Sequence, residues 1–196
     1  MLCQFTVKNF KSIRDEVTFD MQAAAISEHE DRIIIDKDEE KYLPVSVIYG
    51  PNGGGKSNVL AALYTLVAKV LRPLFATEDS EEKVLLQKKI IVEPFAFSVS
   101  KDEPTEFELF FRTTVSEYRY ILHVKRDIVL YESLDRVKLE TGRKSALFTR
   151  DENDIILKGA FAKLKVSDEL SKTLTLLSYL GIAYKGNAVV KDVLSW

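Results

Sequence analysis

Cysteine is almost absent from this sequence: Cys3 stands alone among 196 residues, so no internal disulfide can form. A reducing compartment, the cytoplasm, is the expected setting. Histidine is nearly as scarce. His29 and His123 lie far apart with no cysteine beside either, so the ligand cluster of a zinc site is missing and both read as structural histidines. No uninterrupted apolar run approaches the roughly 18 residues of a membrane-crossing helix. The opening MLCQFTVKNF also lacks the charged and then apolar pattern of a secretion leader, so no membrane partner is expected. Charge of one sign is lacking too, with 28 basic against 30 acidic side chains and a net charge of −2. Domains that coat DNA are usually clearly basic, so any nucleic-acid contact has to be local or made by other parts. What remains, 46% hydrophobic and 30% charged, suits a packed core in one domain or one and a half.

Glycine is scarce as well, with eight in the chain, yet four of them fall within residues 50–55 of YGPNGGGKSN. A bend needs one or two. Gly50 to Ser57 fits G-x-x-x-x-G-K-S/T, the phosphate-binding P-loop or Walker A pattern. Glycines permit positive φ and let the backbone approach phosphate oxygens without a β-carbon in the way. Their N–H groups and the start of the following helix then form an anion nest. In this pattern Lys56 reaches the β- and γ-phosphates of a nucleotide, and Ser57 offers its hydroxyl to Mg²⁺. The pattern alone does not choose among kinases, GTPases and ATPases. The pattern arises by accident in on the order of one chain in a hundred of this length. Here an apolar strand precedes it and an amphipathic helix follows it, the context it requires.

Along the chain, LCQFTVKNF and EVTFDM read as two strands, and residues 27–42 as a charged loop or edge excursion around Ile33 to Ile35. Asp36 closes a short apolar run, but its place before the glycine loop favours a surface residue over a metal ligand. VSVIY (45–49) is a β-branched run that suits a strand buried on both faces. Val59, Leu60, Leu63, Leu66, Val67 and Val70 repeat at helical spacing until Pro73, where the helix is expected to stop. Residues 78–90 suggest a second, exposed helix. An antiparallel β-meander is expected over about 94–158, with a hairpin turning at DEN. From Ser167, read as an N-cap, a leucine stripe (Leu170, Leu174, Leu177, Leu180) runs to Gly181, and NAVVKDVLSW starts another helix.

VKNFKSI near the start, followed by YGPNGGGKSNVLAAL, resembles the amino-terminal half of an ABC-type ATPase head of the SMC, RecF and OLD kind. Asn58 after Lys56-Ser57 is more like SMC-type heads than transporters. EPFAF, FELFF, YRYILHV, YESL and LFTRDENDIIL are similar, in the same order, to bacterial AAA-family ATP-binding proteins associated with abortive-infection phage resistance. The resemblance implies an α/β fold: a P-loop NTPase core with an antiparallel β subdomain. It divides the chain into an amino-terminal lobe (1–165) and the start of a helical insertion or arm (166–196). It also implies that Asn52, Gly53, Gly54, Gly55, Lys56, Ser57 and Asn58 hold the nucleotide, with Lys56 catalytic and Ser57 on Mg²⁺. The segment from Asn9 to Ser12 is implied beside the base or ribose. ATP then acts between two heads, a second copy being the partner, with DNA and a nuclease-like effector as further partners.

The departures limit what one chain is expected to do. Neither a signature L-S-x-G nor an apolar run ending in Asp-Glu follows the P-loop, LSYLG (177–181) having the wrong fourth residue. Of Gln4, Gln22 and Gln87, none falls where a Q-loop residue belongs, and Gly54 replaces the usual serine or alanine. The expectation is an amino-terminal portion that binds ATP and hydrolyses it slowly or not at all, since no carboxylate is offered to orient the attacking water. The alternative is a nucleotide-sensing scaffold that regulates an effector without useful turnover. A complete small kinase or GTPase fits less well, because the loop follows about 45 residues and no N-K-x-D segment is present. Lys8, Lys11 and Arg14 could meet DNA phosphate, but such charges more often form a solvated face.

Overall fold

The computed structural model describes residues 1–25, 29–75, 90–97 and 103–196. Its frame is a seven-stranded sheet in which every pairing is antiparallel. β1 (Leu2–Lys8) turns back into β2 (Val17–Asp20), setting Phe5 opposite Phe19 and Val7 opposite Val17. The charged excursion expected over 27–42 contains a separate two-stranded ribbon, β3 (Ile34–Ile35) with β4 (Lys41–Tyr42). β5 (Thr105–Arg112) then lies against the free side of β1 and opens the meander. β6 (Ser116–Lys125), β7 (Ile128–Lys138), β8 (Lys144–Asp151) and β9 (Asp154–Leu157) follow, each beside its predecessor. The DEN hairpin is present between β8 and β9, with Glu152 at φ 50 in the turn. The meander thus spans a narrower range than expected. Pro94 to Phe97 form no strand, and residues 98–100 lie outside the described residues.

Alternation decides which face of the sheet is covered. In β6, Tyr118, Tyr120, Leu122 and Val124 point inward and are buried, while Arg119 between them is exposed. With Phe5, Val7, Phe107, Leu109, Phe111, Leu134 and Phe148 they form one core beneath the helices. Each such side chain, fully buried, contributes about 1.5–3 kcal/mol.

α1 (Lys56–Phe75) buries Ala62, Leu66 and Val70 against this core. The expected stop at Pro73 needs correction: the helix includes it and still runs at Phe75, the last residue described before 90. A proline inside a helix removes one backbone donor and crowds the carbonyl four residues back, but the chain stays helical through it here. By length and composition α1 could also cross a bilayer, although no uninterrupted apolar run exists. One face of it packs on the sheet through Ala62, Leu66 and Val70, while Leu60, Tyr64 and Phe75 are exposed. The exposed helix expected over 78–90 falls almost wholly outside the described residues.

The strand expected at 45–49 also needs correction. Among the described residues this segment pairs with no strand, and Val45, Val47 and Tyr49 are 72%, 62% and 87% exposed. β-branched residues favour extended backbone, but a strand exists only where a neighbour completes its ladder.

The helix read from Ser167 begins later. α2 spans Leu176–Ala183 with Thr175 as N-cap, and Gly181 lies inside it instead of ending it. Ser167 serves a turn, accepting from the N–H of Glu169 at 3.2 Å. Ser178 Oγ donates to the carbonyl of Val70 at 2.6 Å and so ties α2 to α1. α3 (Ala188–Leu194) is capped by Asn187 Oδ1, which accepts from Val189 and Val190 at 2.9 and 3.1 Å. Leu176, Leu177, Leu180, Val190 and Val193 join the same core as the sheet, so residues 166–196 pack on the lobe. Trp196 completes that packing, its ring centroid 4.9 Å from that of Phe111.

Candidate functional site

The glycine loop occupies the stretch between the unpaired segment 45–49 and α1. Gly53 (φ 81) and Gly55 (φ 83) adopt left-handed conformations that a side chain would strain. At Gly54 space is limiting, since a Cβ would come within 3.1 Å of the Pro51 carbonyl oxygen. That carbonyl also accepts from the N–H of Gly54 at 3.2 Å, which rounds the loop. α1 begins as the glycines end, and Gly55 O accepts from Asn58 and Val59 at 2.9 and 3.3 Å. The main-chain N–H groups of Gly53, Gly55, Lys56 and Ser57 have no acceptor among the described residues.

Lys56 folds back over this loop. Its Nζ donates to the carbonyls of Gly50 and Pro51 at 2.8 and 2.7 Å. A cation is therefore held on the loop, beside unpaired amides and the N-terminus of a twenty-residue helix. These features add up to one preference, for anions. The donor set fits the phosphates and Mg²⁺ of ATP: Lys56 and the loop amides would take phosphate oxygens, and Ser57 would give its hydroxyl to the metal. Mg²⁺, when bound, neutralises charge developing on the phosphates.

Of the segment Asn9 to Ser12, Ser12 reaches the loop. Asn58 Nδ2 donates to Ser12 Oγ at 2.6 Å, and that oxygen lies 3.3 Å from where a Cβ on Gly55 would stand. Asn52, Gly53 and Ser57 are exposed, while Gly55, Lys56 and Asn58 are half-buried. The predicted residues from Asn52 to Asn58 therefore stand together, with Ser12 as an addition whose partner lies 46 positions away.

Other candidates resolve into structural roles. Lys8 pairs with Glu106 at 3.0 Å, and Lys11 lies over the Phe10 ring at 5.5 Å. Asp36, read as a surface residue, accepts from Arg112 at 3.1 Å. Arg112 also holds Asp38 at 2.7 Å and Glu117 at 2.7 Å, and stacks over Tyr42. Although burial opposes its charge, hydrogen bonds to Asp38, Glu117 and Asp36 keep that guanidinium above its ordinary value. Asp38 is lowered, chiefly by its bond to Arg112. His123 is pushed down by burial and packs on Tyr131, as a structural histidine would. Among the described residues no group of three or more His, Cys, Asp or Glu side chains is arranged to hold a metal ion.

Comparison with known proteins places this loop in a family. A protein-family model described as "AAA domain, putative AbiEii toxin, Type IV TA system" matches residues 45–188, well over half of the chain. The chain belongs to this AAA-domain family. The match opens at the apolar run before the glycine loop and takes in the loop, α1, the meander and α2. Membership makes the chain a P-loop protein of the ATPase type, and ATP with Mg²⁺ is the ligand such AAA-domain proteins generally bind. A search of curated proteins gave no match.

Proposed function

We propose that the chain supplies the MgATP-binding half of an ABC-type ATPase head, in which bound ATP joins two heads and hydrolysis releases them. The observation that carries this reading is Lys56 folded over a loop whose amides lack acceptors at the N-terminus of α1. The exposed run 45–49 supports it, because a head in which that run is a sheet strand needs further strands beside it. The setting we propose is a phage-defence or DNA-maintenance system in the cytoplasm, with DNA and a nuclease-like effector as partners. The family's description, which names an AbiEii-type toxin, fits the defence side of that setting.

Within this reading Lys56 orients the phosphates and draws charge from them, Ser57 seats the metal, and the loop excludes side chains from the phosphate path. The second head would contribute the signature segment. Activation of water would fall to a carboxylate outside this loop, so the isolated chain binds MgATP and turns it over slowly or not at all.

The test combines thermal unfolding with a measurement of mass in solution, with and without MgATP. Wild type should gain about 2.7 kcal/mol when MgATP is at a hundred times its Kd, and Lys56→Ala should lose that gain. Equal shifts in both proteins would remove phosphate cradling at this loop. Stabilisation without dimerisation would favour the nucleotide-sensing scaffold, and rapid turnover abolished by Lys56→Ala would overturn the proposed inactivity.

A further inference from the structure

We infer that Ser12 is a positioning residue for the glycine loop, acting through Asn58, so that nucleotide affinity depends on the turn between β1 and β2. The inference rests on the nucleotide reading above and adds a residue that the P-loop pattern does not contain.

The turn is held from several sides. Phe10 and Ile13 exchange backbone hydrogen bonds at 2.8 and 2.7 Å, and both side chains enter the core. Asn9 (φ 55) is 4% exposed, and its amide donates to the carbonyls of Glu103 and Pro104 at 2.9 and 3.0 Å. Its Oδ1 accepts from Phe95 N–H at 2.9 Å, and its carbonyl accepts from Thr105 Oγ1 at 2.6 Å. Lys11 N–H donates to Glu93 O at 3.0 Å. Every neighbour of Ser12 is pinned, while Ser12 itself is exposed and faces the loop.

A rigid turn that presents one hydroxyl can fix what that hydroxyl touches. Ser12 Oγ accepts from Asn58, in the first turn of α1 two residues after Lys56. The same oxygen stands against Gly55, the last glycine of the cradle, in the space a Cβ would claim. Ser12 therefore restrains the loop's exit and the helix start together, the two places that aim the N–H groups of Gly55, Lys56 and Ser57. Preorganising those donors raises affinity by reducing the ordering that binding requires. Neither Ser12 nor Asn58 is buried, so losing their bond should leave the folded core intact.

The experiment measures the Kd for MgATP and the ligand-free melting temperature of wild type, Ser12→Ala, Ser12→Thr, Asn58→Ala and the double variant Ser12→Ala/Asn58→Ala. Ser12→Ala and Asn58→Ala should each weaken binding about threefold to tenfold, the range one hydrogen bond spans. The double variant should be no weaker than Asn58→Ala alone, because that variant has already lost the bond to Ser12. Ser12→Thr, which keeps the hydroxyl, should bind as wild type, and all ligand-free melting temperatures should agree within about a degree. Wild-type affinity in Ser12→Ala, additive losses in the double variant, or a loss matched by a lowered ligand-free melting temperature would each overturn the inference. Lys56→Ala separates the two levels. If it abolishes binding while Ser12→Ala does not change it, only the role of Ser12 falls; if wild type itself fails to bind MgATP, the nucleotide reading falls and this inference with it.

Discussion

Two glycines far from the loop show how a single backbone position constrains this fold. Gly159 sits at φ 52 after β9, where a Cβ would come within 2.9 Å of the Ala146 carbonyl oxygen. Gly142 has a similar angle, φ 62, but open space around it. Both would pay the left-handed penalty of about 1–2 kcal/mol for a side chain, and Gly159 would also crowd a strand that cannot yield. Gly159→Ala should therefore destabilise the protein by about 1 kcal/mol or more beyond Gly142→Ala, read as a difference in denaturant midpoints. Equal losses would show that the contact with Ala146 relaxes freely. At this scale the P-loop was legible, because Gly53, Gly55, Lys56 and Ser57 are local in sequence and each has its own physical task. Ser12 was less so: VKNFKSI suggested a nearby segment, but nothing local indicates that its hydroxyl meets Asn58.

Among the elements, α2 depends on a carboxylate from another strand. Glu132, in the middle of β7 and fully buried, accepts from Leu176 and Leu177 N–H at 2.6 and 2.9 Å and from Tyr120 OH at 2.9 Å. An anion at a helix N-terminus is favoured, and three donors satisfy it. Burial nevertheless pushes the carboxyl above its ordinary value of 4.5. Glu132→Gln sets an amide where a second acceptor oxygen is needed and should cost about 1–3 kcal/mol at neutral pH. Because the folded value is raised, the stability this carboxyl contributes is fully present below the unfolded value and is lost as pH rises through the folded one. The advantage of wild type over Glu132→Gln should thus grow as pH falls from neutral toward 4.5, measured by denaturation at several pH values. A constant difference would rule out titration at this site. Sequence alternation places a glutamate facing the core of β7 without naming the helix it caps. The misplaced start of α2 has a related cause, since Ser167 and Thr175 are equally acceptable caps until packing against Val70 selects one.

Across the whole molecule, stability should be uneven. β5, β6 and β7 lie inside the sheet, and their inward residues are buried under α1, α2 and α3. Residues 45–49 have neither a sheet neighbour among the described residues nor cover for Val45, Val47 and Tyr49. Hydrogen exchange should find the amides of β5 to β7 protected to near the global unfolding free energy and those of 45–49 exchanging as exposed chain. Strong protection at 45–49 would show that the segment gains a hydrogen-bonding partner in solution that the described residues do not supply. The Arg112 cluster also belongs to this scale, since it fastens the β3–β4 ribbon to the main sheet through Asp36 and Asp38, 76 and 74 positions away. No local pattern distinguishes an arginine with three carboxylate partners from one facing water.

The sequence by itself determined what short-range physics controls. Spacing set the strands of the meander and the core face of α1, and the glycine pattern marked the P-loop with its lysine and serine. Tertiary structure decided whatever needed a distant partner. It left 45–49 outside the sheet, because a strand requires a neighbour whatever its propensity. It started α2 at Thr175, where Ser178 could bond to Val70 and Glu132 could receive the first amides. It also brought Ser12 to Asn58, because the core holds Phe10 and Ile13 and leaves the hydroxyl between them facing the loop.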